Sequence, residues 1–212
     1  VSMGGNCIVD DEASRQASLQ EIIRRYYEAI MGLADGSRQE SEAYKIVLLM
    51  KQVHISPEDR KVVGAALERE KLTGGPAASM ELPDGRMITG KTSDLLGACA
   101  AVLLNALKEL AGIPHETHVI SPSCIEPIQT LKTSYLGSKN PRLHTDEVLI
   151  ALSSSAASSD VAKLALEQLP KLKGCQVHSS VMLSDVDRKL LKRLGCQVTS
   201  EARYEKNSRV FH

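Results

Sequence analysis

The sequence predicts an α/β protein, with a helical subdomain over residues 1–75 and an α/β domain over residues 76–212 in which helices flank a mixed sheet. Three observations carry this expectation. Leu19, Ile22, Ile23, Tyr26, Ile30 and Leu33 recur at helical spacing near the front of the chain. Gly74-Gly75-Pro76-Ala77-Ala78 then reads as a linker, after which short extended runs alternate with helical ones. Near the end, Gly174-Cys175-Gln176-Val177 is echoed by Gly195-Cys196-Gln197-Val198, with a helix start at Ser184-Asp185-Val186-Asp187 between them. Two helix ends stopped by Gly, each leading into a strand, predict a parallel pair joined by a right-handed crossover.

The elements follow in order. Asp35-Gly36-Ser37 ends the first helix, and a second runs from about Glu40 to Val53. Ser56-Pro57-Glu58-Asp59 starts a third: Ser caps, Pro needs no partner for its missing N–H, and two acids face the helix dipole. Met80 to Leu82 and Arg86 to Thr89 read as strands joined by the turn Pro83-Asp84-Gly85. A buried, Ala- and Leu-rich helix follows from about Asp94 to Leu110, with Cys99 in its core face. Thr117 to Ile120 reads as a strand, and Ser121-Pro122 opens another helix. Thr145 caps a helix through Asp146 and Glu147, residues 153–159 break it, and Asp160 to Leu169 forms its successor.

Composition narrows the function classes. Of 212 residues, 26 are Lys or Arg and 26 are Asp or Glu, which removes the broad basic footprint of a nucleic-acid binder. No Trp and one Phe leave little material for base stacking. No apolar run reaches the length of a membrane span. The start, Val1-Ser2-Met3-Gly4-Gly5-Asn6, lacks the regions of a signal peptide, and its missing Met reads as a fragment. Five scattered Cys without a C-x-x-C pair point away from structural zinc and toward reduced thiols in a cytoplasmic protein.

Gly85 to Thr92 spells G-x-x-x-x-G-K-[ST], but the first Gly belongs to a Pro-Asp-Gly turn and the intervening Met, Ile and Thr favour a strand. A strand cannot also wrap phosphates. What survives is a helix-start anion site at Gly90, Lys91, Thr92 and Ser93, where backbone N–H groups, an ammonium and two hydroxyls precede a long helix. Asn140 to Glu147 forms the second polar cluster. Arg142 offers a fork for phosphate or carboxylate, and His144 titrates near neutrality. Against these stand plainer readings: a helix cap, a solvated Lys91, and Arg142 paired with a nearby acid. His115 and His118 are three apart beside a strand, which does not put them on one face, so no metal site is expected. His178 reads as a hydrogen-bonded strand residue.

The chain resembles the C-terminal part of the bacterial domain of unknown function 1846 family, an uncharacterised family. The stretches that carry the resemblance are Cys7 to Ala13, Gln20 to Tyr27, Ile55 to Arg60, Glu81 to Gly97, Ile125 to Leu131, Asn140 to Leu152 and Glu167 to Cys175. Thr89 to Gly97 and Asn140 to Leu152 are the most specific. The resemblance implies a helical subdomain before a layered α/β domain, in proteins about twice this long whose N-terminal half has its own Gly-rich loop. That half is expected to be missing here. The resemblance transfers no reaction and no cofactor.

The expected function is binding of a phosphate-bearing or other anionic metabolite, a nucleotide included, by Gly90, Lys91, Thr92, Ser93 and Arg142. Any chemistry would use His144 as acid or base. The alternative is a structural module, either for homo-oligomer contacts or for regulation of the other half. Neither nucleic acid nor membrane is expected as a partner.

Overall fold

The computed structural model describes residues 11–205, so Val1 to Asn6, Cys7 and the first part of the Cys7 to Ala13 stretch lie outside the described residues. The chain divides into two compact units, one through Arg60 and one from Lys61. The break falls ahead of the Gly74-Gly75 position, because the third helix belongs to the second unit.

The first unit is a helical hairpin of α1 (Asp11–Ala34) and α2 (Glu40–Gln52). Gly36 closes α1 at φ 77, as the Asp-Gly-Ser stop predicts. Ser56 to Asp59 starts a single 3-10 turn (Pro57–Asp59), in which the Asp59 carboxylate accepts from the Ser56 backbone N–H at 2.7 Å.

The second unit is a four-stranded mixed sheet of order β2-β1-β3-β4 with helices on both faces. Here α3 (Lys61–Thr73) leads into β1 (Ala77–Glu81) and β2 (Met87–Lys91). Ala77 and Ala78 are therefore strand, not linker. β1 pairs antiparallel with both β2 and β3 (Gln176–Ser179), and β3 pairs parallel with β4 (Gln197–Ser200). Gly85 sits at φ 84 in the turn between β1 and β2.

Period-two alternation assigns the faces. Ser79 donates to the Val62 carbonyl of α3, while Ala78 and Met80 join the core beneath α4 (Ala98–Ala111). Nine residues of α4 are buried, as the Ala/Leu-rich run predicts, and Cys99 is 4 % exposed. Gly90 is where strand and helix touch: a Cβ there would lie 2.3 Å from the Val102 backbone nitrogen.

After α4 come α5 (Pro122–Thr130), a π-helical turn (Leu131–Tyr135), α6 (Thr145–Ser155), α7 (Asp160–Leu166), a 3-10 turn (Leu169–Leu172) and α8 (Asp185–Arg193) between β3 and β4. Two expectations need correction. Thr117 to Ile120 is irregular rather than a strand; its Val119 and Ile120 are buried without a ladder partner. The helix expected from Asp94 begins at Ala98, because Ser93 to Leu96 is a turn whose last residue bridges to Leu143: Leu143 N–H donates to Leu95 O and Gly97 N–H to Leu143 O.

Candidate functional site

Parallel pairing of β3 with β4, and the antiparallel β1 between β2 and β3, place the ends of β2, β3 and β4 at one edge of the sheet. Open α/β sheets hold ligands outside the carboxyl ends of their strands. The segments leaving this edge lead to the N-termini of α4 and α8, and Leu96–Leu143 pairing brings the N-terminus of α6 alongside that of α4.

The Gly90 to Ser93 stretch does not form an amide cradle. Gly90 and Lys91 are β2 residues, so the P-loop spelling is a strand, as its residue types predict. Thr92 N–H donates to Pro76 O and Ser93 N–H to Leu96 O. The Ser93 hydroxyl accepts from the N–H groups of Leu95 and Leu96, at 3.3 and 3.1 Å. These amides are committed to acceptors in the protein, and neither Thr92 nor Ser93 caps α4, whose N-cap is Gly97. Since Gly90 faces α4, alternation turns Lys91 to the α3 face, where it is exposed.

Arg142 does come to meet Ser93. Its Nε donates to Ser93 O at 3.0 Å, and its Nη1 pairs with Glu205 Oε1 at 3.0 Å. The loop beneath is clamped by Lys132, whose ammonium donates to Arg142 O at 2.6 Å and to Glu147 Oε2 at 2.8 Å. The same Glu147 oxygen accepts from His144 N–H at 2.8 Å. His144 is thus the N-cap residue of α6, and Thr145, expected as the cap, is its first helical residue.

His144 Nδ1 lies 3.1 Å from Asp187 Oδ2 in the first turn of α8. Asp187 Oδ1 accepts from Thr145 N–H at 2.9 Å and Thr145 Oγ1 at 2.8 Å, while Oδ2 also accepts from Ser184 Oγ at 2.7 Å. An ionised carboxylate only accepts, so Nδ1 carries a proton toward Asp187 and Nε2 is the ring nitrogen not engaged by it. Nε2 has no hydrogen-bond partner among the described residues, and the side chain is 31 % exposed. The Asp187 hydrogen bond holds the His144 pKa above its ordinary value, against burial, which lowers it. Burial pushes Asp187 upward, but the hydrogen bonds from His144 and Thr145 outweigh it and hold the carboxyl below its usual range.

Sequence reasoning named Ser93, Arg142 and His144; the fold bonds Arg142 to Ser93 and sets His144 on Asp187. It missed Asp187, Glu147, Lys132 and Glu205 as partners. Ser184-Asp185-Val186-Asp187 was legible as a helix start, but nothing local indicates that Asp187 serves a second helix as well. Cys99 lies near this cluster; burial pushes its thiol well above the ordinary range, and the Asp187 charge adds to that. It stays a protonated core residue. His178 is buried on β3 and bonded through Nδ1 to Thr199 Oγ1 at 2.9 Å, with Glu201 at 3.3 Å from Nε2. Among the described residues no cluster of His, Cys, Asp or Glu could hold a metal ion, and no helix is long and apolar enough to cross a membrane.

Residues 58–210 match the model described as domain of unknown function DUF1846, C-terminal. Residues 1–54 match the corresponding N-terminal domain, so the chain is not confined to the family's C-terminal domain. It is 53 % identical over 204 residues to the UPF0371 protein cu0538 of Corynebacterium urealyticum, covering 96 % of this chain and 41 % of the relative. It is 49 % identical over 205 residues to the UPF0371 protein SUB1165 of Streptococcus uberis, covering 97 % of this chain and 42 % of the relative. The chain thus spans about two-fifths of the length of the curated relatives it matches. On the strength of both domain models and these identities, the chain belongs to the DUF1846 family.

Proposed function

We propose that the carboxyl edge of the sheet binds a small phosphate- or carboxylate-bearing metabolite, with Arg142 and His144 as its cationic contacts and His144 as acid or base. The observation that carries this reading is the His144–Asp187 pair, in which a multiply hydrogen-bonded carboxylate orients an imidazole through Nδ1 and leaves Nε2 unengaged by it. A raised imidazole pKa widens the pH range over which His144 is a cation for anion recognition, and the imidazolium is a proton donor at Nε2. Arg142, anchored on Ser93 O, supplies a planar second charge on the same loop. Ser93 acts by holding Arg142 rather than by touching the ligand, and Lys91 stands at the margin on the opposite face.

Calorimetry tests this with inorganic phosphate, ribose 5-phosphate and ATP against the wild type, Arg142→Ala and His144→Gln. Binding that weakens by about tenfold or more in each variant is expected, as loss of a charge-assisted hydrogen bond implies. No binding to any of the three, or binding indifferent to both substitutions, refutes the proposal.

A second reading, an assembly module, draws on Leu131, Tyr135 and Leu136, which are 50, 78 and 72 % exposed around the π-helical turn. Such residues favour contact with another surface. Light scattering that finds a monomer at every concentration rules out self-assembly.

A further inference from the structure

The Gly-Cys-Gln-Val echo does more than start two strands. Parallel register sets Gln176 opposite Gln197, and therefore Cys175 opposite Cys196 one step earlier. Backbone bonds bracket the pair: Gly174 N–H donates to Gly195 O and Gln197 N–H to Cys175 O, each at 2.9 Å. Adjacent strands stand about 4.8 Å apart, within the Cα separation that a disulfide spans. Cys175 shares a strand face with Val177, and Cys196 with Val198, both core residues, so the two thiols lie on the same side of the sheet. Their sulfurs sit over consecutive carbonyls of one 3-10 turn, Cys175 Sγ at 3.8 Å from Lys171 O and Cys196 Sγ at 3.5 Å from Leu172 O. Both thiols are buried, Cys175 at 3 % and Cys196 at 5 % exposed, and Cys175 stands in the wall of a surface cavity of about 370 Å³, beside Glu81, Gly85 and Lys173.

We propose that Cys175 and Cys196 are a redox modification site that closes to an intramolecular disulfide under peroxide, with Cys175 oxidised first and Cys196 resolving. The Cys175 thiolate attacks one peroxide oxygen, the O–O bond breaks, and water leaves after protonation. The Cys196 sulfur then attacks the sulfenic sulfur, and the displaced hydroxide leaves as a second water with the Cys196 proton. Two thiols and one hydrogen peroxide give one disulfide and two waters; sulfur loses two electrons and the peroxide gains them.

The environment makes the reaction slow. Burial raises the Cys175 thiol, and the Asp84 and Glu81 carboxylates raise it further. Burial pushes Cys196 up to about 12, with Cys175 adding to the shift. Exposed Cys124 differs: hydrogen bonds from Ser121 and Ser155 lower its thiol, and it stands on α5, away from this strand pair.

The full chain is exposed to graded hydrogen peroxide, denatured in N-ethylmaleimide, digested and analysed by mass spectrometry. The expected product is a Cys175–Cys196 linked peptide two hydrogens lighter than the free pair and reversed by dithiothreitol. Its rate rises about tenfold from pH 7 to pH 8, following the thiolate fraction. In Cys175→Ser, Cys196 stays alkylatable. The proposal is overturned if both cysteines are alkylated in wild-type protein at doses that fully oxidise Cys124, or if Cys196 oxidises equally well in Cys175→Ser. Peptide mapping of the wild type decides the question even where the variant does not fold.

Discussion

Asp187, in the first turn of α8, places Oδ2 3.1 Å from Nδ1 of His144 and Oδ1 2.9 Å from Thr145 N–H, so one carboxylate caps α6 and orients the imidazole beside it. Its side chain is 12 % exposed, and its ties to Ser184 serve its own helix as well. Two helices share one anion, which ties the start of α6 to the start of α8.

The pair imposes a pH window on stability. His144 is raised above 6.5, so its contribution is full below pH 6.5 and is lost as pH rises through the folded value. Asp187 is lowered below 3.8, so its contribution is present above pH 3.8 and is lost as pH falls through the folded value. Urea midpoints are expected to decline on both sides of that window. In Asp187→Asn the alkaline decline disappears and the His144 imidazole resonances titrate at lower pH. An unchanged His144 titration contradicts the pairing.

Asp187→Ala leaves Thr145 N–H, Thr145 Oγ1 and Ser184 Oγ without their common acceptor. The expected destabilisation is about 3 kcal/mol by urea denaturation, the cost of orphaned donors to a buried charge. Ser184→Ala removes the N-cap acceptor of Asp187 N–H and one donor to Asp187 Oδ2, and is expected to cost about 1 kcal/mol.

Gly90→Ala is a packing test. The new Cβ would stand 2.3 Å from Val102 N and 2.8 Å from Ala101 C, both helix backbone atoms that cannot swing aside. β2 and α4 must separate, at about 2–3 kcal/mol or more. Lys91→Ala, one residue on and exposed, is expected to change stability by less than about 0.5 kcal/mol. Equal midpoints for the two variants would contradict the strand–helix contact.

Lys132→Met removes the donor shared by Arg142 O and Glu147 Oε2, in an ion pair whose Lys132 and Glu147 side chains are only 10 and 23 % exposed. The expected loss is about 2 kcal/mol, together with faster amide exchange over residues 140–144. Stability lost without a change in exchange there would mean that Lys132 does not hold the loop.

The local grammar was legible wherever a short stretch carries its own reason. Asp35-Gly36-Ser37, Pro83-Asp84-Gly85 and the two Gly-Cys-Gln-Val segments stop or turn the chain because φ is positive at each of those glycines. The P-loop spelling was rejected on residue types alone, and Met87–Lys91 is a strand. The misreadings arose where distant contacts decide. Ser93 and Asp94 look like a helix start, yet Leu143, far along the chain, draws Leu95 to Gly97 into an extended bridge and delays α4 to Ala98. Thr117 to Ile120 has a strand's composition but no neighbour to pair with in the sheet.

What the sequence by itself determined is the α/β class, the turns, the buried helix, and the presence of Arg142 and His144 in one polar loop. Those features rest on backbone propensity and hydrophobic period, which act over a few residues. Tertiary structure alone decided that Arg142 is anchored on Ser93, that Lys91 faces away, and that Asp187, 43 residues from His144, orients its ring. Sheet order and the docking of one helix start against another set those distances, and neither leaves a mark within a single local window.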